Sequence, residues 1–386
     1  MLKFCSRITT YINNLHPVKE RSLYGLMEKL IDAAIPLWET SLAPLADPAF
    51  RLPHRIVYGD PRYEDKESDE DEESDEDKAS DEGEDDYWDS GRWNQKRRKF
   101  VQPEPKGLFN PVRLPKFPSL REKWAKRGLQ VIVKLANIEL TPEKPEYAGG
   151  SWHVEGQMVS LINEHEGLYQ FDVAIQNEHI VATALYYHAC ENITQSTLFF
   201  RQQVDPDEIE NITSDNNDNG WLTDIFGCEQ EGSCVQELGG VETREGRLLT
   251  FPNILQHRVG PFKLADLTKS GHRKIVALFL VDPNIKVIST AHVPCQQQEW
   301  WWETVMAKDK KSSVGSATAA GSSKKAPLVG EIPIELQDHI LDGVEFPISL
   351  EEAKTLRLDL MEERKVFVVA NNEVFAESAT FSLCEH

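Results

Sequence analysis

The chain has 386 residues, 40% of them hydrophobic, with nine Trp and sixteen Phe. That is enough apolar material to bury a substantial core in one large or two moderate domains. The formal charge of −22 is concentrated, because Glu64 to Asp86 carries sixteen acidic residues against Lys66 and Lys78, and the remainder is only moderately acidic. Composition then excludes several classes. No segment approaches the ~20 apolar residues that cross a bilayer, and Met1 to Thr10 has no apolar run of signal-peptide length. The six cysteines include no CxxC pair, which speaks against a disulfide scaffold and for free thiols in a reducing compartment. Cys228 and Cys234 lack the two further close ligands a zinc site needs. The chain is therefore expected inside the cell, cytoplasmic or nuclear, with Asn192 and Asn211 unglycosylated and no membrane partner.

Leu15 to Trp38 is predicted as a helix, with Leu23, Leu26, Met27, Leu30, Ile31 and Ala34 at helical spacing and Pro36 ending the hydrogen-bond ladder. Tyr63 to Arg98 cannot pack, since its acidic run has few apolar groups and its charges repel in any compact state. The basic tetrad Lys96 to Lys99 that closes it reads as a solvated charge cluster rather than an import signal or a nucleic-acid contact.

From Leu129 the pattern changes to strands. Leu129 to Leu140, His179 to Tyr187, Thr197 to Arg201, Gly246 to Phe251 and Lys274 to Val281 are rich in β-branched and aromatic residues. No ten-residue helical pattern separates them, so a doubly wound α/β fold is disfavoured and an antiparallel sandwich or jelly roll is favoured. Asn211 to Gly220 is polar enough to be a loop, and Lys308 to Lys325 is a Lys/Ser/Ala/Gly-rich linker. Pro333 to Leu341 and Ser349 to Val366 read as helices, the second opening on Ser349 with Glu351 and Glu352 in its first turn. The expected organisation is an N-terminal helical segment over 1–62 and a disordered acidic segment with a basic end over 63–100. A jelly-roll core follows over 101–307, with a flexible linker over 308–326 and a C-terminal helical extension over 327–386.

His153 and Glu155 stand two apart, which on a strand places both side chains on one face. Two imidazoles and one carboxylate are the ligand set that holds non-haem Fe(II) with open coordination positions, and His257 follows Phe251 by six residues as the candidate third ligand. Arg273 opens a later strand, where its planar fork could grip a dicarboxylate. Tyr186 and Tyr187 occupy opposite strand faces, so one of them could donate a hydrogen bond to a carboxylate in the pocket. Trp152 points away from His153 and is expected to pack.

Several long motifs carry a resemblance. They are Tyr147-Ala-Gly-Gly-Ser-Trp-His-Val-Glu-Gly156, Asn177-Glu-His-Ile-Val-Ala-Thr-Ala-Leu-Tyr-Tyr187, Glu191-Asn-Ile-Thr194, Phe251-Pro-Asn-Ile-Leu-Gln-His-Arg-Val259 and Gly271-His-Arg-Lys-Ile-Val-Ala-Leu-Phe-Leu-Val-Asp-Pro283. The chain resembles an uncharacterised family of large, mainly fungal proteins that is itself distantly similar to the iron(II)/2-oxoglutarate oxygenases. The resemblance runs from Ile12-Asn-Asn-Leu-His-Pro17 to Phe381-Ser-Leu-Cys-Glu-His386. It implies a double-stranded β-helix core with flanking helices, His153, Glu155 and His257 as ligands of Fe(II), and Arg273 as the anchor for 2-oxoglutarate, beside which strand alternation sets Tyr186 or Tyr187 as a second cofactor-binding group. Where Asp is commoner in the oxygenases, this chain has Glu155. The short region before Ile12 suggests that an N-terminal portion is missing.

Similar proteins pass almost directly from His-Val-Glu-Gly to Asn-Glu-His-Ile, whereas here Gln157 to Gln176 intervenes. The codons for Val159 to Gln176 could begin with GT and end with AG, so 159–176 is either a retained in-frame intron or a natural insertion. The expected function is an Fe(II)/2-oxoglutarate-dependent oxygenase that hydroxylates or demethylates a small molecule or a protein. The alternatives are a non-catalytic jelly-roll binding or scaffold protein and another metal-dependent enzyme such as a hydrolase. Nucleic acid is not expected as a partner, because the acidic segment opposes phosphate backbones and no aromatic-and-basic stripe is present. The sequence leaves the oligomeric state open.

Overall fold

The computed structural model describes residues 5–47, 50, 63–65, 98–101, 111–156, 178–204, 220–304 and, with short breaks, 333–377. The first long element is helix α1, Arg21–Leu42, whose buried residues Tyr24, Met27, Ile31, Ala34, Ile35, Trp38 and Leu42 recur every three or four positions. It runs through Pro36 rather than ending there. Proline has no N–H to offer the Asp32 carbonyl four residues back. Arg121, in the short helix α2, Leu120–Lys123, places Nη2 3.4 Å from that carbonyl and 2.5 Å from the Asp32 carboxylate. The Leu120 N–H donates to Glu39 at 2.7 Å, so α2 is fastened to the helix that it helps to complete.

The eleven strands among the described residues are β1 (Tyr63–Asp65), β2 (Arg98–Phe100), β3 (Val131–Leu140), β4 (Glu146–Tyr147), β5 (Ile180–Glu191), β6 (Ser196–Gln203), β7 (Val235–Thr243), β8 (Leu248–Pro252), β9 (Gln256–Val259), β10 (Phe262–Lys263) and β11 (Gly271–Val281). Two sheets carry the fold, a four-stranded one in the order β3-β11-β5-β8 and a three-stranded one in the order β7-β6-β9, with every pairing antiparallel.

Strand alternation splits the four-stranded sheet into two apolar faces. Ala182, Ala184, Val276, Leu278 and Leu280 pack with Met27, Ile31, Ala34, Ile35 and Trp38 of α1, and the short alanines let the helix approach closely. Leu185, Tyr187, Ala277 and Phe279 point the other way and pack with Phe251 and with Leu198 of the three-stranded sheet. A register shift between Leu280 and Val281 against β5 brings Ile180 into this second cluster, out of phase with Ala182 and Ala184.

The fold is therefore β-rich and antiparallel with a few helices, and each segment predicted as a strand is one. Their ends differ by up to four residues, as when β5 continues to Glu191. Pattern reading missed β7 and β9, and also the helix α3, Gly220–Phe226. The last helix, α4, spans Leu350–Glu377 and is much longer than predicted. Only short helical pieces of 333–341 are described. At the two ends of 63–100, β1 pairs with β2, with Tyr63 opposite Phe100, Glu64 opposite Lys99 and Asp65 opposite Arg98 in the register. The acidic residues 66–86, the insertion 159–176 and the linker 308–326 lie outside the described residues. No described helix is long and apolar enough to cross a membrane.

Candidate metal centre

The segment before the insertion runs beside β9 without forming a regular strand. Gly149 adopts φ +98°, where a Cβ would sit 3.1 Å from the Val259 carbonyl, and the Gly150 N–H donates to that carbonyl at 2.9 Å. His153 and His257 then exchange two backbone hydrogen bonds, of 3.1 and 2.9 Å, as an isolated bridge. Glu155 lies beyond it in a bend. His153 and Glu155 therefore do not share the strand that their alternation predicts. What fixes Glu155 is Asn253, whose Oδ1 accepts from the Glu155 N–H at 3.0 Å while its Nδ2 donates to the Glu155 carbonyl at 2.6 Å and to the Ile180 carbonyl at 3.1 Å. Gly156 follows with φ +70°, and a Cβ there would lie 2.8 Å from the Ile180 side chain, so the turn out of the site requires glycine.

The result is a compact triad. Nε2 of His153 and Nε2 of His257 each lie 3.7 Å from the same Glu155 oxygen, and the ligand atoms of all three residues fall within 4.8 Å of one another. Ligand bonds of about 2.1 Å set cis ligand atoms roughly 3 Å apart and wider pairs about 4 Å apart, so one ion fits among them with small side-chain adjustment. Nδ1 of His153 lies 2.9 Å from the Ser151 carbonyl. With the proton on Nδ1, the Nε2 lone pair faces the triad, as a metal ligand requires.

Electrostatics are strongly coupled here. Burial alone would raise the Glu155 pKa, but the two imidazoles whose Nε2 atoms lie 3.7 Å away, with the charge of Lys134, hold it far below the usual carboxylate range. For His153 burial opposes the charge, yet the Glu155 carboxylate 3.7 Å away outweighs it and raises the pKa. His257, only 3% exposed, goes the other way, because burial and the neighbouring His153 outweigh Glu155. A carboxylate that stays ionised between two imidazoles of opposite tendency is a donor set for a divalent cation.

A cavity of about 1210 Å³ opens onto the triad, lined among others by His153, Glu155, Ile132, Lys134, Ile180 and Phe279. Lys134 lies opposite Ala277 in the register, on the inward face of β3, and is the cation nearest in effect to Glu155 among residues outside the triad. It and Asn253 were missed by sequence reading. Asn253 is one of the residues of the Phe251-to-Val259 motif, whereas nothing in its pattern marks Lys134.

The remaining predicted residues are distributed differently. Tyr186 lines the cavity but faces the α1 side of the sheet. Tyr187 and Arg273 face the interior between the sheets, with the guanidinium 4.8 Å from the Tyr187 ring centre, and neither lines the cavity. Arg273 is 3% exposed and has no ion pair among the described residues, where its Nε and Nη2 find no acceptor. Burial raises the Tyr187 pKa, with the Arg273 charge opposing. Trp152 is stacked between Arg201 and Arg258, at 4.8 and 4.5 Å, on the outer face of the three-stranded sheet.

The family model described as "Protein of unknown function (DUF4246)" matches residues 3–304. That is most of the chain and includes the whole triad, so the chain belongs to this family. No curated protein matches it. Among solved structures, the chain is similar to protein NMB1881 from Neisseria meningitidis at 12% identity and a TM-score of 0.16, over 42% of this chain and 95% of that one.

Proposed function

We propose that this member of the DUF4246 family is an Fe(II)/2-oxoglutarate-dependent oxygenase built on a double-stranded β-helix. One observation carries the reading: His153, Glu155 and His257 converge with ligand atoms within 4.8 Å of one another, and His153 and Glu155 line a large cavity. The strand order supports it. Two facing antiparallel sheets, one of four strands and one of three, with His153 bridged to β9 where a further strand would lie, match a jelly-roll plan. So does the resemblance of the family, mainly fungal in distribution, to the iron(II)/2-oxoglutarate oxygenases.

In this reading His153, His257 and Glu155 would hold Fe(II) beside the cavity. The bound metal, with 2-oxoglutarate and dioxygen, supplies the oxidising power to place one oxygen atom in a C–H bond of the substrate, the other going to succinate as carbon dioxide leaves. The chain's own residues position and exclude. Asn253 fixes the Glu155 backbone. Phe251, 4.9 Å from the His257 ring centre, and Phe200, opposite His257 in the register, wall its imidazole from water. Burying an unpaired guanidinium is costly, and a carboxylate delivered to Arg273 from within the sandwich, with the Tyr187 hydroxyl beside it, offsets that cost. Tyr186, on the opposite strand face, is left to the cavity wall.

A metal-dependent reaction without 2-oxoglutarate is the second reading, favoured by the position of Arg273 off the cavity that reaches the triad. Anaerobic titration of the purified protein with Fe(II) and then 2-oxoglutarate separates the two. The oxygenase develops a weak visible charge-transfer band and releases succinate when oxygen is admitted, and His257→Ala abolishes both. Iron binding with neither band nor succinate selects the second reading, and absence of metal binding overturns both.

A further inference from the structure

Helix α4 reaches the metal centre from outside the family-matched span. Along it Arg364, Val368, Asn372 and Phe375 recur at helical spacing on one face, and each of them is engaged. Arg364 donates to Glu178 at 2.7 Å, Val368 lines the cavity, and Phe375 is 4% exposed beneath the Arg201 guanidinium. Asn372 has three partners. Its Nδ2 donates to the Trp152 carbonyl at 2.8 Å, while its Oδ1 accepts from Gln256 Nε2 at 3.1 Å and from Arg201 Nη2 at 3.3 Å.

Two of those partners are chain neighbours of the triad and the third lies on the strand paired with His257. Trp152 immediately precedes His153, Gln256 immediately precedes His257, and Arg201 follows Phe200, the register partner of His257. One side-chain amide therefore ties together the two segments that carry the histidines. The tie matters most at His153, because its segment is held to β9 by an isolated bridge instead of a ladder and is flanked by two glycines at positive φ. A ligand on so lightly paired a segment loses its orientation unless neighbouring groups fix it.

We propose that Asn372 is a positioning residue of the metal centre: by donating to the Trp152 carbonyl it keeps His153 aligned with His257 and Glu155. It follows that α4 is part of the working site. The inference rests on the metal reading of the triad.

The test is titration of the full chain with Co(II), followed by visible absorption, for the wild type, Asn372→Asp, Asn372→Ala and His153→Ala, with thermal unfolding of each apo protein measured alongside. Asn372→Asp keeps an acceptor for Gln256 and Arg201, replaces the donor to Trp152 with a second carboxylate oxygen, and adds a negative charge that Arg201 is placed to pair. It should unfold close to the wild-type temperature, yet bind Co(II) about tenfold or more weakly with an altered spectrum. Asn372→Ala should bind at least as weakly; if it does not fold, Asn372→Asp decides alone. Wild-type affinity and spectrum in Asn372→Asp overturn the role of Asn372 and leave the metal reading standing. A wild-type protein that takes up no Co(II), or a His153→Ala variant that binds it equally well, overturns the metal reading and this proposal with it.

Discussion

The side-chain amide of Asn253 grips the backbone of Glu155 on both sides, accepting from its N–H at 3.0 Å and donating to its carbonyl at 2.6 Å. This is the hydrogen-bond pattern a neighbouring strand would offer, supplied here by one side chain.

Asn253→Ala should therefore do two things. It leaves the Glu155 and Ile180 backbone groups without these partners in a mostly buried place, which should cost about 2–3 kcal/mol of stability in the apo protein. It should also weaken binding of a divalent metal by roughly 10- to 100-fold, the usual range for a residue that orients a ligand. Chemical denaturation and Co(II) titration read the two effects separately, and unchanged metal affinity would mean that Glu155 holds its position without the amide.

The opposed shifts of the two histidines give a pH dependence. The pKa of His153 is raised from 6.5 by Glu155 against burial, so its contribution to apo stability is full below 6.5 and is lost as the pH rises through the raised value. Glu155 is depressed from 4.5, and its contribution is present above that value and lost in strong acid. Metal must displace the proton from His153 but not from His257, which is disposed to be neutral. Metal affinity should therefore rise with pH through the raised His153 value and level off above it. In Glu155→Gln the attraction is gone and burial remains, so the His153 titration followed by NMR should move below 6.5. A value unchanged from wild type would contradict the assigned cause.

How far the sequence reveals this site depends on which physical signal each part carries. The strands with β-branched and aromatic alternation were legible, and so were the residues His153, Glu155 and His257, because their chemical types are distinctive. β9 was not, since Gln256-His-Arg-Val259 has no apolar alternation: His257 faces inward for a site rather than a core, and Gln256 is fully buried under α4 by hydrogen bonds instead of hydrophobicity. Pro36 misled for a related reason. The partner that restores the Asp32 carbonyl is Arg121, far along the chain, and local rules cannot see it.

Arg273→Lys is the sharpest probe of the co-substrate. The substitution keeps the charge and loses the planar fork. If the interior between the sheets receives 2-oxoglutarate, its affinity should fall by ~1.5–3 kcal/mol, the worth of a hydrogen bond to a charged group. Calorimetric titration of the metal-loaded protein measures this directly. An unchanged affinity moves the anchor to another cation, and Lys134 is then the first to substitute, because it lines the cavity beside Glu155.

The insertion can be tested by its ends. A Cβ on Gly156 would lie 2.8 Å from the Glu178 carboxylate and from the Ile180 side chain, so the chain leaves and re-enters the described structure at nearly the same place. Deleting Val159–Gln176 joins Met158 to Asn177 and leaves Gln157, Met158 and Asn177 to connect Gly156 with Glu178, a gap well within the reach of three residues at roughly 3.3–3.6 Å each. A long connection next to a ligand costs ordering entropy and positional precision. The shortened chain should accordingly express better, unfold at the same or a higher temperature and bind Co(II) more tightly than the full chain. Loss of folding or of metal binding on deletion would instead make 159–176 an integral part of the site. Transcript reads across the codons for Met158 and Asn177 address origin independently, since a spliced species joining them identifies the segment as a retained intron.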